Sequence, residues 1–159
     1  MSRLFSDMLK SKPNSNSRIA RNHVISLEMA RFCSTFFQGV QESTILESCG
    51  IADLITTCYG GRNRRCGEEF AKLQSGHLNG RDMVTKNEMW NDIEVKLLNG
   101  QKLQGTYAAK EVYALLESRN MLSSFPLFRS IYEIAFVGRP VTSITEGIHA
   151  IETTLVSKL

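Results

Sequence analysis

The first segment with residue types suited to ligand binding consists of two glycines followed by a basic run. The order is Gly60-Gly61-Arg62-Asn63. Glycine lets the backbone approach a ligand without a Cβ in the way, and the amides at the start of the next helix favour anions. Arg62 adds a planar guanidinium suited to bidentate phosphate binding, and Asn63 can donate and accept. The pattern indicates a phosphate site, with a glycine turn before a solvated basic helix start as the alternative interpretation.

A carboxylate and a hydroxyl lie one helical turn apart just upstream. Asp53 and Thr57 are spaced i, i+4, so on a helix they share one face. Such a pair can hold a polyol substrate or orient a catalytic amine. A solvated surface face is the commoner role of a pair of this kind, and the sequence alone leaves both interpretations open.

The third segment is a polar stretch at residues 99–106. Its Gly-x-x-x-x-Gly-Thr spacing imitates a phosphate loop, but the required lysine after the second glycine is missing, and no strand precedes it. A P-loop is therefore excluded. We expect a polar loop between two helices, with Lys102 and Gln104 free to reach a ligand.

Other site classes find no support in the sequence. It contains neither a G-x-G-x-x-G dinucleotide fingerprint nor a G-x-S-x-G motif. The four cysteines form no C-x-x-C pair, and the three histidines have no partners at metal-ligand spacing, so we predict no metal site. From its residues alone, the chain is expected to be an anion-binding helical domain without catalytic machinery of its own.

Composition limits the classes of partner. The chain has 159 residues, which favours one domain, and 42% of them are hydrophobic. A formal charge of +3 is too mild to require nucleic acid. An RNA-binding role for Arg62, Arg64 and Arg65 is the weakest hypothesis, because aromatic residues do not alternate with these arginines. No apolar run is long enough for a membrane span.

Helical periodicity dominates the sequence. Apolar residues recur at helical spacing almost throughout and strand alternation is nearly absent, so we predict an all-α domain of about seven helices over residues 16–159. Capping boxes are expected at Thr44–Glu47 and Ser143–Glu146, and residues 74–86 are expected to form a loop. Residues 1–15 are expected to be a disordered or leader segment. Their basic, serine-rich composition is also typical of organelle transit peptides, so an organelle is the alternative to the cytoplasm.

Three strings occur here together and in order: ESCGIADLITTCYGGRNR at residues 47–64, LNGQKLQG at residues 98–105 and FPLF at residues 125–128. From about Glu28 to about Phe136 the sequence resembles the C-terminal substrate domain of eukaryotic NAD-dependent glycerol-3-phosphate dehydrogenase. The resemblance implies an all-α fold like the C-terminal domain of 6-phosphogluconate dehydrogenase-like enzymes. It also implies a homodimer, with each helical domain packed on an N-terminal Rossmann domain.

The resemblance also implies an activity and residue roles. The family interconverts dihydroxyacetone phosphate and glycerol 3-phosphate by hydride transfer with NAD. Arg62 and Asn63 resemble the pair that binds the substrate phosphate, with Arg62 also near the cofactor. Lys102 and Gln104 resemble the loop positions of the family that contact NAD. Asp53 and Thr57 resemble the residues that organise the substrate and the catalytic lysine.

The sequence departs from the family pattern in one important respect. The Rossmann domain, its glycine fingerprint and the general-base lysine of an Ala-Leu-Lys-Asn string do not occur in these residues. We therefore expect this chain to be inactive alone, although its family is enzymatic. The alternative function is that of a non-catalytic helical partner or dimerisation module of the full-length enzyme.

Overall fold

A computed structural model describes residues 15–77 and 85–156 of the protein. All regular structure in these ranges is helical, which confirms the predicted all-α class. The described part contains eight α-helices, which are α1 (Ser15–Phe36), α2 (Glu42–Leu46), α3 (Asp53–Gly60), α4 (Arg62–His77), α5 (Lys86–Leu98), α6 (Gln104–Ser118), α7 (Pro126–Tyr132) and α8 (Ile144–Val156). Two π-helical turns, Ser48–Ala52 and Glu133–Val137, and two 3-10 turns, Leu122–Ser124 and Val141–Ser143, connect them. The predicted leader lies outside the described residues up to position 14.

Both predicted capping boxes are wrong. Helix α2 begins at Glu42, two residues before Thr44. At the other position a 3-10 turn precedes α8, and the Ser143 hydroxyl donates to the Pro140 carbonyl at 2.7 Å. Short hydroxyl side chains can bond nearby backbone carbonyls instead of capping a helix, and this competing bond forms at Ser143. The structure has its capping box at Thr85 and Glu88, at the start of α5.

The predicted loop at residues 74–86 is too long at its start. Helix α4 continues to His77, and residues 78–84 lie outside the described ranges. The buried Gln74 amide explains the extension, because it donates to the Arg139 carbonyl at 3.1 Å and accepts from the Val141 amide at 2.8 Å. These two bonds tie the end of α4 to the segment before α8, so tertiary contacts outweigh the local polar composition.

The core lies where α4 and α5 pack against α7 and α8. The Phe70 and Trp90 rings stack at 4.3 Å with an interplanar angle of 7°. The Trp90 indole N–H donates to the Ala135 carbonyl at 3.0 Å, which links α5 to the π-helical turn after α7. The buried apolar side chains around this stack include Cys66, Met89, Ile93, Leu127, Ile134, Ile144 and Ile148.

A buried carboxylate joins α1 to α7. Glu28 is 3% exposed and accepts hydrogen bonds from the backbone amides of Leu127 at 3.2 Å and Phe128 at 2.8 Å. Burial raises the pKa of the Glu28 carboxyl above its ordinary 4.5, while these two bonds act in the opposite direction. The first-turn amides of α7, which have no partner within the helix, are thereby satisfied from a distant part of the sequence.

A second buried carboxylate fixes the turn between α5 and α6. The Glu94 side chain is 5% exposed; it accepts from the Leu103 amide at 3.0 Å and from the Lys102 ammonium at 2.8 Å. Burial opposes ionisation of Glu94, but the bonds to Leu103 and Lys102 outweigh it and lower the pKa of this carboxyl below 4.5. The turn itself begins at Asn99 and Gly100, both with positive φ; the loop predicted over residues 99–106 is too long at its end, because α6 already begins at Gln104.

We expect Glu94→Gln to destabilise the fold in a pH-dependent way. At neutral pH the substitution removes the charge that holds Leu103 and Lys102, so the free energy of unfolding should fall by about 1–2 kcal/mol. A carboxyl whose pKa is lowered by folding stabilises above its unfolded pKa and loses that contribution as the pH falls through its folded pKa. The difference between wild type and variant in urea unfolding should therefore be full at pH 7 and narrow below about pH 4.5.

The matched control is Glu111→Gln, since Glu111 is exposed on α6, and it should change stability by less than about 0.5 kcal/mol at any pH. A Glu94→Gln difference that is unchanged in acid would contradict the assigned ion pair.

Candidate functional site

A one-residue junction joins α3 to α4. Gly61 lies between the two helices, and its amide donates to the Thr57 carbonyl at 3.1 Å. A Cβ at Gly61 would lie 2.9 Å from that same oxygen, so the turn has no room for a side chain. The junction places Thr57, Arg62 and Asn63 beside one another along the chain and opens α4 directly with Arg62.

The start of α4 meets the start of α6. The Asn63 side chain lies so close to Gly105 that a Cβ there would come within 2.6 Å of Asn63 Oδ1. Asn63 and Gly105 are each the second residue of their helix. The starts of the two helices are therefore adjacent at this contact, and the N-terminus of a helix carries partial positive charge. Gln104, the exposed first residue of α6, belongs to the same region.

Lys102 is engaged rather than free, contrary to expectation. Its ammonium donates to Glu94 Oε2 at 2.8 Å and to Asn91 Oδ1 at 3.2 Å, although the side chain is 54% exposed. The bond to Glu94 raises the pKa of Lys102 above 10.5. The charge of Lys102 thus stays beside the α6 N-terminus, two residues before Gln104.

Asp53 and Thr57 occupy one face of α3, as their spacing predicts. Asp53 is the exposed first residue of that helix, and Thr57 is half-buried next to the Gly61 turn. Four of the six predicted site residues, Thr57, Arg62, Asn63 and Gln104, are thus gathered by the Gly61 turn and the Gly105 contact. Lys102 lies at the edge of this group, and Asp53 one helical turn away along α3.

Sequence reasoning missed the residues that build this arrangement. Glu94 and Asn91 hold Lys102, and Gly105 receives Asn63. A glutamate in the apolar register of α5, one residue after the buried Ile93, was an available signal for Glu94. Gly105 was noticed only as part of a false phosphate loop, because its partner Asn63 is remote in sequence.

The arrangement suits an anion at the exposed start of α4. Arg62 is exposed there, and a guanidinium beside helix amides is a strong phosphate-binding combination. Arg64, in contrast, pairs with Glu68 at 2.8 Å within the same helix.

Among the described residues, no group of three His, Cys, Asp or Glu side chains can hold a metal ion. None of the described helices is long and apolar enough to cross a membrane.

Comparison with known proteins gives consistent relatives. Residues 5–146 match the family model described as NAD-dependent glycerol-3-phosphate dehydrogenase C-terminus. The chain is 43% identical to the mouse glycerol-3-phosphate dehydrogenase 1-like protein over 141 residues, which are 88% of this chain and 36% of the mouse protein. It is 40% identical to human cytoplasmic glycerol-3-phosphate dehydrogenase [NAD(+)] over 86% of this chain and 35% of the human one. The chain therefore spans about one third of the length of these relatives.

Solved structures agree with the sequence relatives. The Plasmodium falciparum glycerol-3-phosphate dehydrogenase superposes with a TM-score of 0.70 at 35% identity, over 92% of this chain and 37% of that one. The Dunaliella salina protein DsGPDH superposes with a TM-score of 0.72 at 38% identity, over 94% of this chain and 24% of that one. The chain belongs to the NAD-dependent glycerol-3-phosphate dehydrogenase family, whose C-terminal domain it matches.

Proposed function

We propose that this chain is the part of an NAD-dependent glycerol-3-phosphate dehydrogenase that binds the substrate phosphate. The family reaction is hydride transfer between NAD(H) and dihydroxyacetone phosphate or glycerol 3-phosphate. The observation that carries the proposal is the convergence of the α4 and α6 N-termini at the Asn63–Gly105 contact. It provides oriented amides, a guanidinium and a side-chain amide at one exposed place.

The phosphate lies against Arg62 and Asn63. The Arg62 guanidinium makes the bidentate contact, while the helix amides and the Asn63 amide donate to the remaining oxygens. Gly61 keeps this end of α4 open because it brings no side chain, and Gly105 keeps Asn63 in place by offering a flat backbone surface. Thr57 and Asp53, on the helix that leads into the site, support the substrate and the family's catalytic lysine.

The residues present fit part of an NAD site. A dinucleotide carries a pyrophosphate, and Arg62 and Lys102 put two cations beside the α6 N-terminus, with Gln104 to hydrogen-bond. The Lys102 ammonium has three N–H donors, of which Glu94 and Asn91 take two, so the exposed side chain can offer the third to such a ligand without leaving Glu94. Bound NAD supplies or accepts the hydride, whereas this chain's residues bind and orient. The general-base lysine is not among these residues, so the proposal assigns the proton transfer to another segment.

We infer the setting from the same relatives. A homodimer, or a complex with a full-length homologue, is proposed as the assembly. The cytoplasm is proposed as the location, since the human relative is named cytoplasmic.

A second candidate function is that of a non-catalytic partner of the full-length enzyme. It is favoured by three exposed apolar side chains on one stretch of chain, Phe37, Leu46 and Ile55. Co-sedimentation with a full-length relative, without phosphate binding, would select this second function.

The phosphate site predicts that binding depends on the shape of Arg62. In an NMR titration, glycerol 3-phosphate should shift the amides of residues 60–64 with a Kd of about 1 mM, equivalent to about 4 kcal/mol, and glycerol should not. Arg62→Lys should weaken binding several-fold, because an ammonium cannot reproduce the guanidinium fork. Arg65→Lys, at an exposed position of the same helix, is the matched control. Equal shifts with glycerol, or equal binding by Arg62→Lys, would show that the phosphate assignment is wrong.

The Asn63–Gly105 contact generates a separate prediction. Gly105→Ala places a methyl group where the Asn63 amide lies, so it should displace that amide and reduce glycerol 3-phosphate affinity several-fold. Gly76→Ala is the control, because a Cβ at Gly76, also in a helix, meets nothing within 4 Å. Isothermal titration of both variants measures the effect. If the Gly105→Ala variant binds glycerol 3-phosphate with unchanged affinity, Asn63 does not contact the phosphate.

We also expect the purified 159-residue chain to show no NADH oxidation with dihydroxyacetone phosphate. Hydride transfer needs a bound nicotinamide, and proton transfer needs a positioned acid or base; the residues here provide neither in full. The assay follows NADH absorbance, with a full-length relative as the positive control. Turnover by the chain that Arg62→Ala abolishes would refute this expectation.

A further inference from the structure

We propose that a cavity among α4, α5, α6 and α8 binds a small uncharged apolar molecule, of the size of one or two aromatic rings. The cavity has a volume of about 260 Å³, is partly open to solvent, and has both Asn63 and Gly105 in its lining. Its walls come from helices that are remote in sequence, and they include Phe70, Trp90, Ala109, Ile134 and Ile144.

The chemistry of the wall selects the occupant. The Trp90 indole N–H is already bonded to the Ala135 carbonyl at 3.0 Å, and the Thr106 hydroxyl donates to the Leu103 carbonyl at 2.7 Å. Of the side chains that line the cavity, only Asn63 carries a further polar group. A water molecule needs about two to four polar partners, and an anion needs donors or cations. The interior offers carbon surface instead, so an apolar molecule gains most by entering it.

The size is sufficient for an aromatic ring. An enclosed apolar cavity of about 150 Å³ binds benzene, and the volume here is larger, although it is partly open to solvent, so one aromatic ring has room to enter. The stacked Phe70 and Trp90 rings, 4.3 Å apart, present a flat aromatic wall against which a second ring can pack. The ligand class is therefore a neutral arene or a short alkyl-substituted ring.

This site is independent of the phosphate proposal. It shares Asn63 with that site, but its ligand carries no charge and needs neither Arg62 nor the helix amides. An uncharged probe thus tests the cavity alone, and failure of either proposal leaves the other standing.

Trp90 supplies a direct measurement. It is the only tryptophan in the 159 residues, so the indole fluorescence of the full chain reports on the cavity wall. Iodobenzene quenches indole emission when the two are in contact. We expect saturable quenching by iodobenzene, which benzene reverses by competition while also raising the melting temperature. Quenching that grows linearly with iodobenzene and that benzene does not reverse would refute the site.

Variants on neighbouring positions of α6 separate the cavity from the surface. Ala109 lines the cavity, whereas Ala108 is exposed on the same helix. Ala109→Leu should fill the cavity and weaken iodobenzene binding at least tenfold, while Ala108→Leu should leave it unchanged. Ala109→Met, with a more adaptable side chain, repeats the test if the leucine variant does not fold. Equal quenching in the position-109 and position-108 variants would overturn the proposal. A blue shift of the Trp90 fluorescence emission that grows with protein concentration would also overturn it, because it would show that a second copy of the chain covers the cavity.

Discussion

The candidate site depends on one buried carboxylate. Glu94 accepts from the Leu103 amide and the Lys102 ammonium, and Leu103 is the residue immediately before α6. The bond therefore determines where α6 begins and so where Gly105 lies. Because Gly105 contacts the Asn63 side chain, a carboxylate on α5 helps to set the position of Asn63 on α4. Glu28 plays the same part for α7, where it satisfies the first-turn amides from α1.

Features that depend on local chemistry could be predicted from the sequence. Pro126 opens α7, because its fixed φ suits a first helical position and its missing N–H costs nothing there. Asn99 and Gly100 end α5 with positive φ. The predicted helix boundaries were wrong where another hydrogen bond, local or remote, competed with the bond that the local sequence pattern suggested. Ser143 bonds to a carbonyl instead of capping, and Gln74 finds two remote backbone partners that keep α4 helical beyond the expected loop.

In the candidate site too, the features set by local sequence could be predicted, and those set by contacts between remote segments could not. The i, i+4 spacing of Asp53 and Thr57 needed only a helix to place them on one face, and α3 provides it. Arg62 and Asn63 are adjacent in sequence, so any helix beginning there presents both. The contact between Asn63 and Gly105 joins the starts of α4 and α6, between which α5 lies in sequence, and no pattern within either segment specifies it. The same holds for the engagement of Lys102 by Glu94, which converts an apparently free cation into part of the scaffold.

Asn63 marks a boundary between two chemical environments. On its outer side lie the exposed Arg62 and the starts of two helices, which is the place proposed for the phosphate. On its inner side lies a cavity lined almost wholly by carbon, in which the Asn63 amide is the one lining side-chain donor that neither the Trp90 nor the Thr106 hydrogen bond already uses. A charged group placed at this boundary is therefore confined to the outer side, because moving inward would strip its hydration with little compensation. In the proposed phosphate site, the apolar lining therefore contributes to selectivity as well as to stability, because it makes the rim at the α4 and α6 N-termini, beside Arg62, the better place for a charged ligand.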